Sequence, residues 1–282
     1  MVKIIADSTC DLSQELVERY NIDILPLHVL LGEDEYLDGV NITPQEIFKW
    51  SDSTKKTPNT SAPSLEETIE ILKKYLDQDM EIVILSISSS MSASNSIMHL
   101  AAQDLGAEDK IFVVDSQNLS TGIGLSAIEA AIMAADGYSA AEIVSRLDEI
   151  IPKVRASFIV DTLIYLYRGG RCSGISALAG SALKLHPRIG VVDGNMGPGK
   201  NYRGKIGKVY LSYAQDMEEE LKAARHDRVF ITHSPCNPED VENVRAYLES
   251  LNIFDEILET DAGSVVSSHC GPGTLGVLFI AE

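Results

Sequence analysis

Three short apolar runs constrain this fold more than any other feature: Val2 to Ala6, Glu81 to Leu85 and Ile111 to Val114. Each stops at an acid or a hydroxyl residue, in Asp7-Ser8-Thr9, Ser86 and Asp115-Ser116. Runs this short, rich in Val and Ile, read as buried strands rather than helices. The stretches between them read as helices. Asp11 to Tyr20 opens with Ser13 or Asp11 as N-cap, and Thr43-Pro44-Gln45-Glu46 places proline in a first turn. Leu65 to Leu76 follows, then a helix with Ile97, Leu100 and Ala101 on one side, then Gly122 to Ala135 and Ala140 to Ile151. Strands alternate with helices roughly every 20–30 residues, which is the pattern of a parallel α/β sheet. Ligands of such sheets sit beyond the carboxyl ends of the strands. Ser8-Thr9, Ser86 to Ser90 and Ser116 would then gather polar donors along one sheet edge.

Between these elements, Ile24 to Val29 reads as a further apolar run, and Leu31 to Ile42 as a small hairpin with Asp38-Gly39 as its turn. Residues 51–64 read as a loop. The pattern changes near Pro152. We place a domain boundary near residue 155, giving an N-terminal parallel-sheet domain (1–155) and a C-terminal α/β domain (156–282). In the second half, Ala156 to Val160, Pro187 to Val192, Val229 to Thr232 and Val277 to Ile280 read as strands. Ser176 to Leu185 and Pro238 to Leu251 read as helices, Asp193-Gly194 as a turn and Gly197-Pro198-Gly199 as a flexible loop.

The composition narrows the function. Of 282 residues 45% are hydrophobic, enough for a substantial core, yet no apolar run approaches the length of a membrane span. Met1 to Asp7 is too short and too soon acidic for a signal peptide. Cys10, Cys172, Cys236 and Cys270 form no CxxC pair, so thiols in a reducing cytoplasm are expected rather than a zinc knuckle or disulfide framework. A net charge of −19 makes the chain a poor nucleic-acid binder and argues against adsorption to anionic membranes. A carboxylate ligand would need a site dressed locally with donors against that field. No P-loop, dinucleotide fingerprint or metal-ligand array is visible, so no cofactor is expected.

Four places could carry chemistry. Thr60-Ser61-Ala62-Pro63-Ser64 offers three hydroxyls, of which Ser64 fits a capping box with Glu67 and leaves Thr60 and Ser61 free. The serines between Ser86 and Ser96, Ser92 among them, lie at a strand–turn–helix corner where backbone N–H groups favour an anionic head group. A solvated turn explains them as well. A nucleophile is disfavoured, because the glycines of a G-x-S-x-G elbow are missing. His269, within Ser267-Ser268-His269-Cys270-Gly271-Pro272-Gly273, could donate to a carboxylate or phosphoryl oxygen, or be a structural histidine. His233 is a weaker candidate, while His28, His99, His186 and His226 show no constellation. Arg171, after Gly169-Gly170, delivers a guanidinium suited to carboxylate or phosphate, or forms a surface ion pair.

In order, Asp7-Ser8-Thr9, Thr60-Ser61-Ala62-Pro63-Ser64, Leu85-Ser86-Ile87-Ser88-Ser89-Ser90-Met91-Ser92, Val114-Asp115-Ser116, Gly169-Gly170-Arg171 and His269-Cys270-Gly271-Pro272-Gly273-Thr274-Leu275-Gly276 resemble the DegV family across the whole chain. The resemblance implies a two-domain α/β protein that holds a long-chain fatty acid in a buried tunnel, without catalysis of its own. It implies that the carboxylate is presented to a separate fatty-acid kinase subunit that supplies ATP. By match, Thr60 and Ser92 hold the carboxylate, Ser61 and His269 complete the network, and Arg171 lies nearby or faces the partner. Where the family often has Leu-Ser-Gly-Thr-Tyr, this chain has Met91-Ser92-Ala93-Ser94-Asn95, so Ala93 should crowd the head group and Asn95 should alter packing. A self-contained serine hydrolase, a transferase resembling dihydroxyacetone kinase, and a regulatory lipid-binding module are the competing readings.

Overall fold

A computed structural model describes residues 1–172, 174–175 and 185–282. The apolar runs form a four-stranded parallel sheet in the order β2-β1-β6-β7, with β1 Val2–Asp7, β2 Ile22–Leu25, β6 Glu81–Ser86 and β7 Ile111–Asp115. Ile4 pairs with Ile22 on one side and with Val83 on the other, and every residue of β1 from Lys3 to Asp7 is buried, so this interior strand is covered on both faces. The run Ile24 to Val29 is two strands, not one. Pro26 ends β2, and β3 (His28–Leu31) leaves to form a small antiparallel sheet with β4 (Asp34–Leu37) and β5 (Asn59–Ser61). The β3–β4 turn is at Gly32-Glu33, not at Asp38-Gly39, and Asp38 is buried.

Local signals place the helix starts. Ser13 caps α1 (Gln14–Arg19). Thr43 with Glu46 caps α2 (Pro44–Thr54), and Ser64 with Glu67 caps α3 (Leu65–Leu76), both as reciprocal capping boxes. Part of the expected 51–64 loop is therefore the end of α2 and the strand β5. In α4 (Ser94–Asp104) the buried positions are Ser94, Met98, Ala101 and Ala102, whereas Leu100 is exposed. Ser139 caps α6 (Ala140–Ile150).

Between α4 and α6 lies α5 (Thr121–Ala135), whose residues from Thr121 through Ile128 are all buried. A helix apolar all round has no solvent face and belongs between layers. Its neighbours are β1 and β6 of the parallel sheet and β8 and β13 of a second sheet. A small residue also lets α5 close on the turn after β1: a Cβ on Gly124 would lie 3.0 Å from the Cys10 carbonyl oxygen.

The second sheet has six strands in the order β10-β9-β8-β13-β11-β12. They are β8 Val154–Ile159, β9 Leu185–Val192, β10 Asn195–Arg203, β11 Ala224–His233, β12 Glu256–Asp261 and β13 Leu275–Ala281. All pairs are antiparallel except β11 with β12. Gly197-Pro198-Gly199 is not a loop but part of β10, bulged between Pro198 and Asn201 and paired with β9. The remaining helices named among the described residues are α7 (Ile164–Gly169), α8 (Ile206–Asp216), α9 (Glu218–Lys222), α10 (Pro238–Leu251) and α11 (Ser264–Cys270). The helix expected from Ser176 lies outside the described residues, and Leu185 begins β9.

Candidate functional site

The small sheet carries the first site residue. Thr60 pairs with Val29 across β5 and β3, and α11 packs on both strands. His269 is in the last turn of α11, not in a glycine loop, and its Nε2 lies 2.7 Å from Thr60 Oγ1. These residues are 209 positions apart in the chain. Gly271, at φ 82°, then turns the backbone away, where a Cβ would lie 2.7 Å from the Tyr165 ring.

The second ring nitrogen fixes the tautomer. His269 Nδ1 is buried and has no hydrogen-bond partner among the described residues. It abuts Gly169, where a Cβ would lie 2.5 Å away. An N–H sealed there would lose a full hydrogen bond, whereas a bare lone pair costs less. The proton therefore belongs on Nε2, which donates to Thr60 Oγ1 and leaves the Thr60 hydroxyl hydrogen free for a ligand oxygen. Burial, followed by the positive charge of Arg171, lowers the His269 pKa to about 4, so the ring is neutral at pH 7.

Arg171 is reached through Gly170, a left-handed residue (φ 68°) that ends α7. Its Nη1 donates to the Gly169 carbonyl at 2.7 Å and its Nε to the Met91 carbonyl at 3.5 Å. Backbone oxygens thus hold the guanidinium, and no carboxylate among the described residues pairs with it.

The serine corner divides by partner. Ser88 donates to the Gly194 carbonyl at 2.7 Å, and Ser89 donates to Asp115 at 2.5 Å. Asn95 Nδ2 donates to Ser86 Oγ at 3.0 Å, so the asparagine packs as a polar tie rather than an aromatic filler. Ser92 Oγ accepts the Ser94 N–H at 3.2 Å and lies 2.9 Å from Ser94 Oγ. Among the described residues none of the serines from Ser86 to Ser96 bonds a histidine, as an activated nucleophile would require.

These parts meet in one cavity of about 260 Å³. Thr60, Ser61, Ser92, Arg171 and His269 all border it, as does Ala93. Ser61 is exposed at its rim, and no hydrogen bond joins its hydroxyl to the others. The rest of the described wall is apolar: Leu27, Ala62, Ile87, Met91, Leu119, Met196, Val265, Val266 and Cys270. No acidic side chain is among these lining residues, in a chain with 42 of them. This wall is not legible in the sequence, because its apolar residues are scattered over six segments and carry no local signature. His233 lies elsewhere, 3.4 Å from Glu259, and His186 Nδ1 is buried 3.1 Å from the Val160 carbonyl. His28 does have a constellation, between Glu35 and Glu67. Among the described residues no cluster of histidine, cysteine and acidic groups could hold a metal, and no helix is long and apolar enough to cross a membrane.

The same architecture occurs in known proteins. A DegV family protein from Thermus thermophilus, whose structure is described as fatty acid binding, superposes with a TM-score of 0.91 at 28% identity, covering 100% of this chain and 99% of that one. A stearic acid-binding protein from Eubacterium ventriosum gives a TM-score of 0.86 at 29% identity, covering 100% and 98%. A fatty acid-binding protein of Thermotoga maritima is 30% identical over 281 residues, 98% of this chain and 96% of its own. The DegV family profile matches residues 1–282 without a break. This chain belongs to the DegV family.

Proposed function

We propose that this protein binds a long-chain fatty acid, with its tail against the apolar wall and its carboxylate toward Thr60 and Ser92, and presents that carboxylate to a partner kinase subunit. The observation that carries this reading is the cavity itself. Its wall is apolar, and its polar groups are hydroxyls, a neutral imidazole and one guanidinium, with no acid among the described lining residues. An anion is excluded from most of a −19 surface and accepted here. Each buried methylene contributes about 0.8 kcal/mol, so the tail supplies most of the affinity. The head-group contacts orient the acid and offset its desolvation. The relatives described as fatty acid-binding support the same ligand.

Phosphoryl transfer needs a nucleotide cradle, and the sequence offers none. The kinase activity is therefore assigned to a partner in the cytoplasm, where ATP is found, and exposed Arg171 meets the partner or the transferring phosphoryl group. Two measurements test the reading. Mass spectrometry of an organic extract of the purified protein should show a long-chain fatty acid, and Ser92→Ala should weaken its binding by about 0.5–3 kcal/mol, depending on whether the acid is ionised. Incubation with fatty acid, Mg²⁺ and labelled ATP should give acyl phosphate only when a kinase subunit is added. Product formed by this chain alone would make it an enzyme.

A further inference from the structure

The motif Asp7-Ser8-Thr9, together with Asp11 and Asp38, lines no part of the cavity, yet its side chains reach the backbone of the wall. All three carboxylates are buried. Asp38 Oδ1 accepts the Ser264 N–H at 2.7 Å, and Asp11 Oδ1 accepts the Gly263 N–H at 2.8 Å. Ser264 is the first residue of α11 and Gly263 its N-cap, so these carboxylates satisfy donors that the helix itself leaves unpaired. The second oxygen of each is also held, Asp38 Oδ2 by Ser8 Oγ at 2.8 Å and Asp11 Oδ2 by Ser120 Oγ at 2.5 Å. Ser8 Oγ in turn accepts the N–H of Leu27, a wall residue, at 3.1 Å. Asp7 Oδ2 accepts the N–H of Ile87, another wall residue, at 2.7 Å. A Cβ on Gly263 would lie 3.1 Å from an oxygen of both Asp11 and Asp38, so a bare glycine lets two carboxylates close on one helix end. Asp11 and Ser120 adopt positive φ, 51° and 55°, a cost that persists only where surrounding contacts fix the geometry.

We propose that Asp38 and Asp11 are positioning residues for the carboxylate end of the cavity: by clamping the start of α11 they set the helix along its axis and so place His269 Nε2 on Thr60 Oγ1. Neither touches the ligand, and the inference rests on the fatty-acid reading only for its ligand arm. Its first test needs no ligand. In ¹⁵N-histidine NMR of the free protein, the His269 Nε2–H signal should be protected from exchange in wild type and in Asp38→Asn, which keeps an oxygen for Ser264. It should be lost in Asp38→Ala. The second test compares palmitate with its methyl ester. Asp38→Ala should weaken the acid about tenfold, as expected for a charge-assisted hydrogen bond, and the ester less than about twofold. In a Thr60→Val background the further loss should vanish, since residues acting through one bond are not additive. Should Asp38→Ala fail to fold, Gly263→Ala gives the same changes in smaller measure, since its Cβ would press both carboxylates back by a few tenths of an ångström. An unchanged His269 signal, or equal losses for acid and ester, would overturn the proposal. Failure of wild type to bind either ligand would defeat the fatty-acid reading and leave the NMR arm to decide the clamp.

Discussion

Gly169 shows how one missing methyl group shapes the site. It is the floor under His269 Nδ1, and a Cβ there would lie 2.5 Å from that nitrogen. Gly169→Ala should push the ring off Thr60 and weaken binding of a fatty acid about as much as Thr60→Val does, with little change in unfolding temperature. A titration with labelled fatty acid beside a thermal melt checks both. Two buried groups act on stability with opposite sign. Burial raises the Asp7 pKa to about 6, against 3.8 in the unfolded chain. Between these values the folded state holds a proton that the unfolded state has released, so Asp7 lowers stability as pH rises from about 4 to 6. Burial raises Asp11 and Asp38 as well, and they share that sign. His269 falls from 6.5 to about 4, so the unfolded state binds the extra proton and stability falls as pH drops through that window. Asp7→Asn should therefore tilt the pH dependence toward greater stability at pH 6.5 than at 4.5. His269→Gln should tilt it the other way. Each change is at most about 3 kcal/mol, read from urea midpoints.

At the scale of elements, local chemistry was legible and long-range pairing was not. Pro238–Leu251 and Leu65–Leu76 match the reading residue for residue, because caps and prolines announce them. Ser64→Ala should cost about 1 kcal/mol, and rather more here because its partner Glu67 also bonds His28 at 2.9 Å; denaturant unfolding measures it. By contrast β12, α8 and the helical state of Ser264–Cys270 carry no local signal that announces them, and β5 has the composition of a loop. β5 is three residues long and exists because β3 pairs with it. Gly197-Pro198-Gly199 has a loop's composition, and β9 overrides it. The site followed the same rule. Thr60, Ser92, Arg171 and His269 were found as motifs, and they border one cavity. The contacts of Asp11 and Asp38 behind them were not, since Asp11 meets Gly263 across 252 positions and no local pattern records that meeting.

At the scale of the molecule, α5 decides how the halves relate. One apolar cluster contains Ile4 and Val83 of the parallel sheet, Ile123 and Ile128 of α5, and Val154, Phe230 and Ile280 of the second sheet. Arg225 and Arg228 of β11 also pair with Glu129 of α5, at 2.9 and 2.6 Å. We retain the boundary near residue 155 as a proposal about chain organisation, at the start of β8. Calorimetry should nonetheless show a single transition, with calorimetric and van't Hoff enthalpies equal; two resolved peaks would refute the shared core. The burial of α5 also governs how such a gene can be divided. A fragment ending near residue 155 would carry α5 with half its surface bare, and a fragment beginning there would lack the wedge its sheet rests on. Neither piece is a self-sufficient inheritance, so recombination could exchange this protein only entire.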